Sequence, residues 1–252
     1  MPCPICQAST EPYITQGENH LVRCQGCGLV YMDPPPAPMD VQAMYADTYN
    51  GATGSYFTKV DRKLKRSRHR MRRLARMSGG GAGRSFLDVG SNGGFMVEAA
   101  REAGFKAAGL EPDGAAIAWA KQHFPHNRYL HGLLEETDLG GEQFDAIYCS
   151  EVIEHAPDSN RFVAALAAAL KIGGLLYLTT PDIGHWRRPR DITQWDAFCP
   201  PSHCIYFSPA NLTRLLQRYG FKVEWRALSF KPGIKLIARK QHEAQSAVAA
   251  VA

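Results

Sequence analysis

The chain has no apolar run approaching the ~20 residues that a membrane-spanning helix needs, which excludes a helical span within its 252 residues. Its opening, Met-Pro-Cys-Pro-Ile-Cys, lacks the basic and apolar regions of a secretory signal, so the expected location is the cytoplasm. A large charge excess is missing too: the net +5 is modest and sits almost wholly in one segment. Two further signatures are missing. The small-residue turn after the strand Phe86–Val89 has its glycines at Gly90, Gly93 and Gly94 rather than as Gly-x-Gly-x-x-Gly, and no Tyr-x-x-x-Lys relay follows. These two absences argue against a nicotinamide dehydrogenase.

What is present at that turn is informative. Phe86-Leu87-Asp88-Val89 reads as a buried strand, Gly90-Ser91-Asn92-Gly93-Gly94 as a tight turn, and Phe95 onward as a helix. Small side chains let a ligand press against bare backbone, and the helix N-terminus adds unpaired N–H groups and partial positive charge. Glu111 closes the next apolar stretch, where an acid accepts hydrogen bonds from ribose hydroxyls. A nucleoside-type cofactor is expected here. Asp88 would repel a pyrophosphate but favour a cationic, amino-acid-bearing ligand.

Of the seven cysteines, four are spaced Cys3-x-x-Cys6 and Cys24-x-x-Cys27, with 17 residues between the pairs. This falls within the pattern of structural zinc sites. Four thiolates leave no open position for water, so the ion would brace the fold rather than react. Two disulfides are the alternative, which a reducing cytosol disfavours.

Organisation follows from composition. Residues 1–33 read as a zinc ribbon with strands near Pro12–Thr15 and His20–Arg23, and residues 34–84 as a connecting region. That region holds the proline-rich linker after Asp33, a short helix with an aromatic loop (Met44, Tyr45, Tyr49, Tyr56, Phe57), and the basic helix Asp61–Met77. Leu64, Met71, Leu74 and Met77 give the helix a narrow apolar stripe, so it is expected to pack on the main domain with a solvated basic face; an RNA-binding helix is the other reading. Residues 85–240 alternate strands (Phe86–Val89, Ala107–Leu110, Arg128–His131, Phe144–Cys149, Leu175–Thr179) with helices (Phe95–Ala103, Asp113–His123, Asn160–Leu170, Ser208–Tyr219), then close with a hairpin, Phe221–Leu228 and Ile234–Arg239. Repeated strand–helix units predict an α/β fold, a parallel sheet with helices on both faces and an antiparallel strand added by the hairpin. Residues 241–252 are expected to be a disordered tail.

Asp88, Gly90 and Gly94, with Asn92 where a middle glycine usually stands, resemble motif I of class I S-adenosylmethionine (SAM) dependent methyltransferases. Asn tolerates left-handed backbone, so the departure is mild. With the ribbon, the chain is similar to bacterial methyltransferases carrying an N-terminal zinc-binding segment. That likeness rests on Cys24 to Tyr31 with Asp33-Pro34, on Ser150-Glu151-Val152-Ile153-Glu154-His155, on Thr180-Pro181 and on His203 to Pro209. The resemblance implies a doubly wound, Rossmann-like sheet of seven strands with the last antiparallel. It also implies SAM as cofactor, held by Asp88, Gly90, Ser91, Asn92 and Gly94 at its methionine part and by Glu111 at its ribose. After Arg128–His131 the family presents an acid to the adenine; here that acid is either shifted to Glu135 or absent, with Leu133 and Leu134 as the alternative adenine contacts.

The stretch from Pro181 to Phe207 is too long for a plain connector and is expected to form a substrate lid. It holds His185, Trp186, Trp195, Phe198, His203 and Tyr206, with Arg187, Arg188 and Arg190 suited to an anionic acceptor. Methyl transfer to a hydroxyl needs a base, for which histidine is best matched near neutral pH; His203 is the first candidate and His155 the second. The acceptor expected is a small molecule, anionic or sugar-like, methylated at oxygen. An RNA methyltransferase and a non-catalytic SAM-binding scaffold are the rivals. The ribbon's Glu11 and Glu18 beside Arg23, and Ser150 to Ile153 in place of an Asn-Pro-Pro-type motif, count against the first. The sequence carries no signal for oligomeric state.

Overall fold

The computed structural model describes residues 2–37 and 59–244. Two sheets organise them. The smaller is antiparallel and contains β1 (Thr10–Gln16), β2 (Asn19–Cys24), β3 (Val30–Met32) and β9 (Ile205–Tyr206), in that order. The last of these comes from the long insertion: Val30 pairs with Tyr206 and Tyr31 with Ile205. The ribbon's sheet is therefore completed by a strand far along the chain, which the sequence reading did not contain.

The larger sheet has seven strands: β4 (Ser85–Val89), β5 (Lys106–Glu111), β6 (Arg128–His131), β7 (Phe144–Ser150), β8 (Leu170–Pro181), β10 (Phe221–Arg226) and β11 (Gly233–Lys240). Their spatial order is β10-β11-β8-β7-β4-β5-β6. β4 to β8 run parallel, and β11 is antiparallel to both of its neighbours, as expected. β8 differs from its predicted extent: it starts at Leu170, ahead of Gly173-Gly174, and a register irregularity opposite Phe144–Ala146 absorbs the glycines.

Side chains alternate across these strands. Phe86, Tyr148 and Tyr177 face α1 (Val60–Met77) and α2 (Phe95–Glu102), where they bury Leu64, Met71, Leu74, Phe95 and Met96. Leu87, Ile147 and Leu178 face the other way, toward Phe162, Val163 and Leu166 of α4 (Ser159–Ala169) and Leu212, Leu215 and Leu216 of α5 (Pro209–Arg218). Each fully buried side chain of this size contributes roughly 1.5–3 kcal/mol. The same cluster continues into Cys3, Ile5, Leu29 and Tyr31 of the ribbon and Trp195, Phe198 and Tyr206 of the insertion. Ile192, Trp195, Phe198 and Tyr206 thus anchor the insertion to the core, while Trp186 stands exposed.

Helix ends are locally encoded. Asp113 caps α3 (Gly114–His123) by accepting the Ala115 N–H, and Ser208 with Asn211 forms a capping box at α5. The fully buried Lys240 ammonium donates to the carbonyls of Ala167 and Leu170 at the end of α4, and to Glu243. Gln241 N–H bonds Gly220 O, so residues 241–244 are tied to the domain. Residues 245–252, and the aromatic loop with its short helix, fall outside the described residues.

Candidate active site

The loops at the carboxyl ends of the parallel strands enclose a cavity of about 430 Å³, within the range of small-ligand pockets. Its lining divides by strand order. From β4, β5 and β6 come Gly90, Asn92, Glu111, Pro112 and the run Gly132 to Glu135; from β7, β8 and the insertion come Ser150, Glu151, Val152, His155, Thr179 and Ser202.

The first half is built on the turn after β4. Gly90 has φ +74° and Asn92 φ +44°, so the asparagine takes the left-handed backbone predicted for it. A Cβ at Gly90 would lie 2.5 Å from Val152 Cγ2, which leaves room for glycine alone. Glu111 Oε2 accepts the Asn92 N–H at 2.7 Å and Oε1 the Asp113 N–H at 3.0 Å. The carboxylate thereby fixes the turn, and each oxygen keeps a further acceptor site for a ligand. Burial raises the Glu111 pKa, against the two N–H bonds that favour the anion.

Not every expected contact reaches the cavity. Gly90, Asn92, Glu111, Leu133, Leu134 and His155 line it, and so does Glu135. Asp88, Ser91 and Gly94 stand behind the wall. Asp88 is buried on the α1 face, its pKa raised well above the carboxylate range by desolvation and by Glu111, with Arg70 opposing. The Ser91 hydroxyl is wedged against Gly109 and has no hydrogen-bond partner among the described residues. Gly94 packs on Tyr129, whose Oη leaves no space for a Cβ.

The second half contains a connected polar set. Ser150 Oγ lies 2.7 Å from Thr179 Oγ1, which donates to Glu151 Oε1 at 2.6 Å. Glu151 itself has φ +57°, a strained conformation that aims this residue from the end of β7. His155 sits in a short 3-10 turn, Ile153–His155, and donates Nδ1–H to Ser202 O at 2.7 Å. His203 does not line the cavity; it lies behind His155, rings edge to face at 4.5 Å, and donates Nδ1–H to Ala197 O at 2.8 Å. Burial lowers the pKa of both, His155 to about 4 with help from His203. Both imidazoles are therefore neutral with Nε2 unprotonated at neutral pH.

Arg66 and Arg70 of α1 and Lys235 of β11 also line the cavity. The sequence reading assigned the cations to Arg187, Arg188 and Arg190 instead. Arg188 is consumed by the carbonyls of Ile183 and Pro189, and Arg187 lies over the Trp186 ring. Of the basic helix, Arg70 donates to the Tyr148 hydroxyl and Arg73 covers the Trp225 ring at 4.2 Å. The face thought to be solvated thus turns partly inward. A signal was available: at 100° per residue, Arg70 stands beside Leu74 of the apolar stripe.

At the other end of the molecule Cys3, Cys6, Cys24 and Cys27 place their sulfurs within 4.8 Å of one another. Cys3 and Cys27 Sγ are 3.6 Å apart and Cys6 and Cys24 Sγ 3.3 Å, near the edge of about 3.8 Å that four thiolates around zinc would make. Burial pushes the Cys24 thiol up, but N–H groups of Cys27 and Gly26 on its sulfur help bring it down to about 6.

The methyltransferase-domain family matches residues 56–224. A probable S-adenosylmethionine-dependent methyltransferase of Mycolicibacterium smegmatis is 30% identical over 143 residues, covering 57% of this chain and 54% of that protein. A ubiquinone biosynthesis O-methyltransferase of Haemophilus ducreyi is 34% identical over 107 residues, 39% of this chain and 45% of its own length. The chain thus spans about half the length of these curated relatives. Among solved structures, magnesium protoporphyrin IX methyltransferase of Synechocystis with bound SAH superposes with a TM-score of 0.62 at 14% identity, over 81% of this chain and 100% of that one.

Proposed function

The chain belongs to the methyltransferase-domain family and has its class I, SAM-dependent fold; from that premise we propose that it methylates a hydroxyl oxygen of a small, anionic or sugar-like molecule. The carrying observation is the cavity's division into two unlike halves. One is a glycine-bounded turn with an acceptor carboxylate and an apolar pair; the other is a wall of hydroxyl, carboxylate and imidazole groups rimmed by cations.

The first half fits SAM. Asn92 and Gly90 would hold its amino-acid part by backbone, Glu111 its ribose, and Leu133 with Leu134 its adenine, while Asp88 acts from behind the wall. Bound SAM supplies an electrophilic methyl group. The chain's task is then chiefly to align the acceptor oxygen. Ser150, Glu151, Thr179 and His155 face that oxygen, with His203 holding His155 from behind. Arg66, Arg70 and Lys235 suit an acceptor that carries negative charge, and the H. ducreyi relative is named for an O-methylation. The inward turn of Arg70 and Arg73 disfavours the RNA reading. The four-cysteine ribbon, residues 1–33, is read as a structural zinc module, 34–84 as the connector and 85–240 as the methyltransferase domain.

Calorimetric titration with S-adenosylhomocysteine and, separately, NAD tests this reading. Micromolar affinity is expected for the first and none for the second, with Glu111→Ala weakening the first by about 1–3 kcal/mol. Absence of S-adenosylhomocysteine binding would overturn it.

A further inference from the structure

We propose that two adjoining loop tips, residues 184–190 and 226–232, form a docking surface for an anionic lipid bilayer. Trp186, Leu228 and Phe230 enter its outer apolar boundary, and Arg187, Arg190, Arg226 and Lys231 meet the lipid phosphates. Leu228 is 96% exposed, Trp186 77% and Phe230 76%. A single exposed apolar side chain is ordinary; three on adjoining tips mark a contact surface. Ile172, also exposed, stands near the start of β8, at the opposite end of the sheet, and is the ordinary case.

A fixed frame holds these side chains outward. Exposure alternates from Arg226 to Phe230, so Arg226, Leu228 and Phe230 point out while Ala227 and Ser229 point in. The Ala227 N–H bonds Lys235 O, and Ser229 Oγ donates to Lys231 O at 2.7 Å and accepts the Lys231 N–H at 3.1 Å. From the other loop, His185 Nε2–H donates to Ser229 O at 3.0 Å, and its Nδ1 accepts the Arg187 N–H at 3.1 Å. One imidazole thus pins the loop of Trp186 to that of Leu228 and Phe230.

Charge selects the occupant. Residues 183–190 and 225–235 contain Arg187, Arg188, Arg190, Arg226, Lys231 and Lys235, and no Asp or Glu. The flanking carboxylates are engaged: Asp182 is buried and accepts the Gly184 N–H, Asp191 is bonded by Thr193 and Gln194, and Glu224 pairs with Arg239. The Arg187 guanidinium lies 5.5 Å from the centre of the Trp186 ring, which sets a cation beside an amphipathic side chain. Protruding aromatic and leucine side chains among cations match the boundary of an anionic bilayer. A second copy docked through this face about a two-fold axis would set the same cations against one another.

The surface adjoins the cavity. Gly233 pairs with Pro181, so the turn before β11 stands at the carboxyl end of the parallel strands, and Lys235 lines the cavity. On the methyl-transfer reading, the acceptor is then the head group of an amphiphile held in that bilayer. This role rests on that reading; the docking surface itself does not.

The test is sedimentation of the full chain with phosphatidylglycerol vesicles and, in parallel, phosphatidylcholine vesicles, with S-adenosylhomocysteine binding measured in solution. Binding is expected to the anionic vesicles alone and should fall with added salt. The double variant Leu228→Ser, Phe230→Ser should weaken it on the order of tenfold or more, and Ile172→Ser should leave it unchanged. Brominated acyl chains should quench tryptophan emission of the unaltered chain but not of Trp186→Phe. No sedimentation with anionic vesicles, equal sedimentation of the double variant, or quenching that survives Trp186→Phe overturns the surface. So does a dimer of the unaltered chain that the double variant dissolves, since the face would then be a contact between copies. These variants alter exposed side chains and should keep S-adenosylhomocysteine affinity. Its absence in the unaltered chain would strike the methyl-transfer reading and leave the vesicle result standing.

Discussion

The molecule gathers potential metal ligands twice, and the two gatherings are built on different principles. In the ribbon, four sulfurs stand on two tight turns close in sequence, with Cys3 and Cys24 buried. Beside the cavity, the buried Glu154 and the half-buried His155 and His203 come from segments about fifty residues apart, each imidazole backed by a backbone carbonyl. Soft thiolates that leave no open position suit a clamp; the carboxylate and imidazole groups belong instead to the wall of the cavity and its backing.

The largest effect should come from the clamp. On the structural-zinc reading proposed above, Cys24→Ser is expected to abolish zinc uptake and melt the ribbon, since structural zinc contributes on the order of 10 kcal/mol to folding of such small modules; metal analysis after gel filtration checks this, and full zinc retention would refute that reading. A smaller but more telling break lies between the ribbon and the cavity wall. Tyr206→Ala removes a buried ring from β9, packed 5.2 Å from Phe198, and should cost about 3–5 kcal/mol in urea unfolding. It should loosen both the ribbon and the cavity wall, seen as faster zinc release and weaker S-adenosylhomocysteine binding; an effect on one alone would show that they are independent.

The smallest effect sharpens the comparison by touching neither cluster. Asp145 bonds the Ser85 N–H at 2.8 Å and Lys171 Nζ at 2.9 Å. Burial pushes its pKa up, but Lys171 and the Ser85 N–H and hydroxyl outweigh that and hold it below its ordinary value. With the folded pKa depressed, its contribution is complete above the ordinary pKa near 4 and fades as pH falls through the folded value. Asp145→Asn should therefore cost about 1 kcal/mol at pH 7 and flatten the acid limb of stability, with zinc and S-adenosylhomocysteine binding intact.

Much of this was legible in the chain. The strand–helix alternation with its closing hairpin, the left-handed Asn92, the Asp113 cap and the four-cysteine cluster follow from local chemistry: glycine spacing, short polar side chains before helices, and paired thiols; the count of seven strands came from the family resemblance. What was not legible depends on contacts across distance. β9 is two residues long and carries no periodicity of its own. Asp88 was assigned to the cavity from motif position, yet strand alternation puts it on the Phe86 face, under α1. His203 was given the first proton-accepting role, and only the rung pattern shows that it stands behind His155.

The pairing of β3 with β9 also has a bearing on synthesis. Val30–Met32 leaves the ribosome about 170 residues before its partner Ile205–Tyr206, which at roughly 5–20 residues per second is on the order of ten to thirty seconds. Throughout that interval a nascent ribbon would display a bare hydrogen-bonding edge, short enough to limit mispairing with other chains. The last assembly step of the N-terminal module therefore waits for the same stretch of polypeptide that delivers His203.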